Sequence, residues 1–522
     1  MNLSQFFDHW SITENPFRGE EARHDAVFAR MGILGDEADA ERTGPLSSHS
    51  DFEKILGELT RPSTSIVFGE KGSGKTAIRL QIADRIGAHN KAKTDAKILM
   101  LPYDDLNTFL DQLQDRASAG GKRRDPAKTL ERIRLVDHID AVLSIGAGRI
   151  TNALLRDGRD PPPANLGDDA PRRARRMNPS LKRDLLLLQA VYDQNDLRGE
   201  RTSRLRRMLR LGAPMANRVW MVLMLLGWLA PVGLGAWWLF WAPEGAIQRQ
   251  SILIGAGVAL VIFVLIVCKW FLWDRFVLGR LGARLRKQLR MLPRDAASYA
   301  SALRRLDPVL RGPGTLPLTG SDEQRYSMLA RLRRVAEHFG FAGTLVVIDR
   351  VDEPTLVSGD AERMRSIIWP ILNNKFLQLE GLGLKMLLPV ELRHALFKES
   401  SAFFQEARLD KQNLVERLTW TGPMLYDLCN ARVAACRPDG AEPVALLDLF
   451  AEDVTRQDVV DSLEQMRQPR DAFKFLYHCL NEHCSNVTAD QNEWRIPRLV
   501  LDSIRRQESD RVQQLARGIR PA

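Results

Sequence analysis

Two apolar runs in the middle of the chain limit its fold more than any other feature. Val219–Ala242 (VWMVLMLLGWLAPVGLGAWWLFWA) carries no charge, and Ser251–Trp273 (SILIGAGVALVIFVLIVCKWFLW) carries only Lys269. A helix crosses a bilayer core of about 30 Å with about 20 apolar residues, so each run is long enough to span a membrane. Few helices of a water-soluble core are apolar on every face over such a length. Seven of the 11 tryptophans fall in these runs. All of the seven except Trp228 sit near a run's end, where an aromatic belt places them. Pro231, with Gly227, Gly233 and Gly235, predicts a kink in the first helix.

Charge orients this hairpin. The linker Pro243–Gln250 holds one acid, Glu244, and one base, Arg249. Arginines crowd the outer flanks, from Arg198 to Arg218 before the hairpin and from Arg275 to Arg290 after it. The positive-inside rule then puts both flanks and both termini in the cytoplasm and the linker outside. The flanks explain much of the net charge of +10, so nucleic-acid binding is possible but not required. These arginines either attract anionic headgroups or only set topology during insertion, and both readings stay open. No basic segment followed by an apolar one opens the chain, so a cleaved signal peptide is not expected. Five cysteines in 522 residues exclude a disulfide scaffold and fit a reducing compartment.

Upstream of the hairpin, Gly69-Glu70-Lys71-Gly72-Ser73-Gly74-Lys75-Thr76 fits G-x-x-x-x-G-K-[ST]. Ser65–Phe68 reads as a buried strand before it and Ala77–Ile86 as a helix after it, the context that a phosphate-binding loop requires. The glycines let backbone N–H groups turn inward around phosphates, and the helix N-terminus adds positive potential. Gly69, Gly72, Ser73, Gly74, Lys75 and Thr76 are therefore the candidate nucleotide-binding residues. Lys75 is placed to reach the β- and γ-phosphates and Thr76 to ligate Mg²⁺. A second apolar strand, Leu345–Ile348, leads into Asp349-Arg350-Val351-Asp352-Glu353. Asp349 is the second candidate for holding Mg²⁺, and either Asp352 or Glu353 is the candidate catalytic base. Ala96–Leu101, Leu384–Val390 and Val415–Trp420 read as further strands, with Glu391 a candidate γ-phosphate sensor. The fold class expected is α/β: a P-loop NTPase with a parallel sheet, a C-terminal helical lid and an inserted two-helix transmembrane hairpin.

This layout resembles the KAP family of P-loop NTPases, within the AAA+ and STAND group, in which membrane helices interrupt the stretch between the two nucleotide-binding motifs. The resemblance covers residues 64–105 and 340–480. It implies an ATP–Mg²⁺ hydrolase that switches or oligomerises, with an unknown protein partner, in a bacterial inner membrane. A role in anti-phage defence is part of the same implication. Pro469-Arg470 matches the helix start that carries a sensor arginine in that group, which makes Arg470 a catalytic candidate. The stretch Ile12–Phe17 looks like the Asn-Pro-Phe lead-in of secretion-type AAA+ ATPases. By that likeness Asn15 and Phe17 would pack near the adenine. A homo-oligomer is implied too, with Arg408 or Arg417 completing a neighbour's site.

The expected division is 1–63 as lead-in, 64–111 and 301–440 as the two parts of the NTPase core, and 441–522 as lid and C-terminus. Between the core parts lie 112–210, a basic and partly flexible insertion, and 211–300, hairpin and stalk. Within the insertion, Pro- and charge-rich Asp157–Asn178 reads as a flexible loop and Pro179–Tyr192 as a helix. Arg172–Arg176 is read as a solvated linker or as a site for nucleic acid or lipid. The pairs His478-Cys479 and His483-Cys484 do not follow a usual zinc spacing. Alternatives to an enzyme are a nucleotide-gated membrane scaffold with negligible turnover and a membrane-disrupting effector.

Overall fold

The computed structural model describes residues 1–18, 21–33, 48–118, 125–212, 215–241, 246–438, 440–488 and 491–516. Residues 119–124 of the basic insertion, and Ala242 with residues 243–245 of the hairpin linker, lie outside these. The chain divides into two compact units, Met1–Asp104 with Ala342–Ala522, and Asp105–Phe341. Residues 301–341, expected in the NTPase core, thus group with the insertion and hairpin.

The first unit is built on a five-stranded sheet with order β2-β3-β4-β1-β5. Its strands are β1 Ser65–Gly69, β2 Lys97–Tyr103, β3 Phe341–Ile348, β4 Leu382–Pro389 and β5 Asn413–Val415. β4 pairs in parallel with β1 on one side and β3 on the other, and β5 pairs in parallel with β1. Every residue of β1 and β4 is buried, as continuous apolar runs covered on both faces require. The helix Lys75–Ala92 lays Ile78, Ile82 and Ile86 against Val67, Leu345 and Leu387 of the sheet. The last strand lies earlier and is shorter than the expected Val415–Trp420, with which it shares only Val415. β5 ends at Val415, because Glu416 turns to Arg393, Arg417 to Glu70 and Trp420 to the Ser73 carbonyl, contacts that need the backbone off the sheet edge.

A second core in this unit is helical. Phe6, Phe7 and Phe17 of the N-terminal stretch are buried with Leu425, Leu463, Phe475 and Leu480. The Trp10 indole donates to the Trp494 carbonyl at 2.9 Å, and Thr13 N to the Cys436 carbonyl at 2.8 Å. The lead-in is thus one packing layer of the C-terminal helical region. His483 and Cys484 are buried here, and His478 Nδ1 lies 2.7 Å from Glu508 Oε1.

The second unit is helical. Leu135–Leu155, Pro179–Tyr192 and Asp322–His338 pack on one another. The Asp157–Asn178 segment is not the flexible loop its composition suggests. Ala164, Leu166, Ala170, Ala174 and Met177 are buried, and Ala170–Arg176 is a helix. Few but well-spaced apolar residues anchor it beneath a charged exterior. After the hairpin, Asp274–Gln288 packs closely on Ala296–Leu303: a Cβ on Gly282 would lie 2.3 Å from the Ala296 carbonyl oxygen.

Val219–Trp241 and Gln250–Gln288 are long and apolar enough to cross a membrane, and neither apolar stretch is buried within the protein. The first is two helices, Met215–Leu226 and Leu229–Trp241, broken at Gly227 and Trp228. The break follows from Pro231, which cannot donate to Gly227 O and whose ring crowds that carbonyl. The second runs from Ala246 through a π-helical turn, Lys269–Trp273, into Asp274–Gln288. Lys269 Nζ lies 3.3 Å from the centre of the Trp220 ring, so the lone charge of the run rests on an aromatic face.

Candidate active site

Parallel strands bring their C-terminal ends to one edge, and the candidate residues gather there. The loop leaves β1 at Gly69 and enters the helix at Lys75. Gly72 and Gly74 have φ of +98° and +92°, backbone that only glycine adopts without strain. A Cβ on Gly69 would lie 2.4 Å from Ser73 Oγ, so the turn closes only around glycine. The Ser73 hydroxyl is buried and has no hydrogen-bond partner among the described residues. Lys75 Nζ donates to the carbonyls of Gly69 at 2.8 Å and Glu70 at 2.9 Å. Burial pulls the lysine's pKa down. The charges of Asp352, Asp349 and Glu391 oppose that fall, and Arg470 reinforces it.

Thr76 Oγ1 donates to Asp349 Oδ2 at 3.1 Å. Asp349 follows β3 directly and is 1% exposed. Burial pushes its carboxyl pKa up, against Arg79, the Thr76 hydroxyl and the Arg350 N–H. Arg79 bridges two acids, with Nε 3.4 Å from Asp349 Oδ2 and Nη1 2.6 Å from Asp104 Oδ2. A hydroxyl beside a buried carboxylate is a donor set of the oxygen type that Mg²⁺ takes. The inward-turning glycines and the unpartnered serine hydroxyl suit phosphate oxygens.

The two candidate bases differ in their surroundings. Asp352 is half-buried and its charge acts on Lys75. Glu353 is exposed and ion-paired with Arg350, itself held at φ +61°. Arg470, at the start of the helix Pro469–Asn486, lies against the loop: a Cβ on Gly72 would come 3.1 Å from Arg470 Cβ. Arg417 and Gln468 both hydrogen-bond the Glu70 carboxylate of the loop. Arg408 is exposed at φ +50° after the helix Ser401–Ala407. Glu391 is exposed in the first turn of Val390–Phe397, within electrostatic reach of Lys75.

The Asn15 side chain accepts from Phe17 N at 2.9 Å and closes its own turn. Phe17 is 2% exposed within the helical core, so its visible role is packing. Four participants escaped the sequence reading: Arg79, Glu70, Gln468 and Trp420, whose indole donates to the Ser73 carbonyl at 2.9 Å. Arg79 carried a signal, since it lies three residues after Thr76 on a helix, where side chains share a face. Glu70 stands at a variable position of the loop motif itself, and Gln468 and Trp420 meet the loop from distant sequence and left none.

No protein-family model matches the chain, and neither the curated proteins nor the solved structures contain a match.

Proposed function

We propose that the chain is a membrane-anchored P-loop ATPase of the KAP kind, using ATP and Mg²⁺ to switch or oligomerise. The observation that carries this reading is the convergence of Lys75, Thr76, Asp349, Asp352 and Arg470 on one glycine loop. The strand order supports it. β4 lies between the loop strand β1 and the acidic strand β3, as in P-loop NTPases with an additional central strand.

In this reading the backbone N–H groups from Gly72 to Thr76 cradle the phosphates. Lys75 leaves the Gly69 and Glu70 carbonyls to meet the β- and γ-oxygens. Thr76 and Asp349 would hold Mg²⁺, which would supply positive charge beside those oxygens. Asp352 orients and deprotonates the attacking water, and Arg470 stabilises charge on the γ-phosphoryl group. Arg417 acts within its own chain through Glu70, which leaves Arg408 as the arginine offered to a neighbour in a homo-oligomer. The second reading, a scaffold with negligible turnover, draws on the Glu353–Arg350 pair, which leaves Asp352 as the one candidate base.

A steady-state ATPase assay on the detergent-solubilised full chain tests the proposal. Magnesium-dependent turnover that Lys75→Ala abolishes is expected, and equal turnover in both chains would sink it. Multi-pass topology in a bacterial inner membrane is part of the proposal. A cysteine replacing Ala246 should react with an impermeant thiol reagent in intact cells, and one replacing Ser321 should not. Anti-phage defence, proposed from the same resemblance, predicts fewer plaques on cells with the wild-type chain than on cells with Lys75→Ala.

A further inference from the structure

The arginines of the helical unit fall into two populations. Interior ones are matched: Arg201 to Asp193 and Asp157, Arg325 to Asp140, Arg290 to Asp137. Six others, nearer the apolar spans, are not, among the described residues. Arg204, Arg207 and Arg210 before the first span are exposed and make no ion pair among the described residues. The same holds for Arg275, Arg280 and Arg284 after the second.

More basic charge converges behind them. Arg311 lies within electrostatic reach of Asp274 and Asp307, and of Arg206 and Arg304. Asp274 immediately follows the second apolar run, so three separate segments bring arginines to the place where that run ends. Arg206 is tied to the carbonyls of Arg305 and Gly212, and Arg311 to that of Leu306 at 2.6 Å. Of the two acids whose charges reach Arg311, Asp307 is shared with Arg183 at 3.2 Å.

Apolar exposure occurs at the same place. Among the described residues of this unit outside 219–277, the large hydrophobics left exposed are Leu197, at 66%, and Val309, at 85%. Val309 lies two residues before Arg311. Leu197 precedes Arg198, whose carbonyl accepts from Ser301 Oγ at 2.7 Å, just before Arg304. Exposed apolar side chains among arginines suit the boundary between headgroups and acyl chains, where both are satisfied.

We propose that this collar binds the acidic headgroups of anionic phospholipids in the leaflet that the two spans enter. Guanidinium forks match phosphate oxygens, Leu197 and Val309 reach toward the acyl region, and continuity with the spans holds the collar at headgroup depth. The inference rests on the reading of the hairpin as membrane-spanning.

The test uses the full chain in phosphatidylcholine vesicles doped with spin-labelled phosphatidylglycerol or spin-labelled phosphatidylcholine. The ratio of motionally restricted label measures headgroup preference. Wild type should prefer phosphatidylglycerol by about threefold or more, and less so as salt rises. Arg207→Gln, Arg210→Gln, Arg275→Gln and Arg280→Gln together should bring the ratio toward one, and Val309→Ser alone should lower it partway. A wild-type ratio near one, or a ratio indifferent to salt and to both variants, overturns the proposal. So does a labelled oligonucleotide that binds the solubilised chain through these arginines while the lipid ratio is one. Release of the chain by alkaline carbonate would instead defeat the spanning reading. A chain that is retained but indifferent to headgroup charge defeats the collar alone.

Discussion

In the helical unit, Asp140 meets Arg325, Asp193 meets Arg201, and Asp184 meets both Arg331 and Arg334, each acid largely hidden from water. The sheet unit handles buried charge differently. Around its loop, Lys75 spends its donors on backbone carbonyls while three carboxylates and an arginine surround it. Deeper in the same sheet, Lys385 is fully buried with two serine hydroxyls and, among the described residues, no acid paired with it. Matched interior charges hold a structure together, since leaving either partner alone is costly. The loop charges are gathered at the C-terminal edge of a parallel sheet, with Lys75 held by carbonyls rather than by an acid, and on the proposed reading that is a place for a charged ligand. Removing a loop charge should therefore cost activity and little stability, and removing an interior partner should do the reverse.

The largest effect is expected at the loop. Lys75→Ala should cut ATP turnover by at least about 100-fold, yet leave thermal unfolding in detergent unchanged or slightly raised. A variant that loses activity only because it unfolds would erase the contrast. Next comes the acidic run. Asp352→Asn should slow turnover by about 10- to 100-fold while sparing nucleotide binding, and Glu353→Gln should cost much less. The reverse ranking would make Glu353 the base and its pairing with Arg350 incidental.

Stability effects follow. Arg325→Met strands Asp140 in the helical core and should destabilise by about 3–5 kcal/mol. Burial has already raised the Asp140 carboxyl to about 7 in spite of Arg325. The folded state therefore holds that proton more tightly than the unfolded chain, and stability falls as pH rises from about 4 toward 7. The Arg325→Met penalty should accordingly be smallest near pH 5. Denaturation curves that shift equally at pH 5 and pH 8 would show that Asp140 is not the group involved. Adding Asp140→Leu should recover most of the loss.

The smallest effect has the opposite sign. Burial lowers Lys385 to about 7, so folding favours the neutral amine. The cost of burying it is full below that pH and fades as pH rises toward 10.5. Lys385→Met should stabilise by on the order of 1–3 kcal/mol near neutral pH and by almost nothing near pH 10.5. A destabilised variant would mean that the bonds to Ser63 and Ser65 outweigh burial.

What could be read in advance followed from local pattern. β1, β3 and β4 are apolar runs ended by chemistry at their tips, and the glycine loop has a fixed spacing, so residues a few apart announced one another. Pro179–Tyr192 is a helix with the expected bounds. Long-range contacts left no such trace. Nothing near Glu70 says that Arg417 and Gln468 will hold it from more than 340 residues away. The strand expected over Val415–Trp420 pairs only over Asn413–Val415, because three side chains beyond it are drawn off to the loop and a neighbouring helix. Asp157–Asn178 was underread because prolines and charges mask five apolar anchors.

The second apolar helix continues without a break over the 39 residues from Gln250 to Gln288. At about 1.5 Å per residue that is a rod about 58 Å long. Its neighbour in the hairpin is jointed at Gly227, where an added Cβ would come 3.2 Å from Phe263 on the rod. Such a rod behaves as a lever with a bearing about a third of the way along it. A tilt of about 10° about that point moves the Gln250 tip by about 3 Å and the Gln288 tip by about 6.5 Å in opposite directions, with the π-helical turn at Lys269–Trp273 as its softest place.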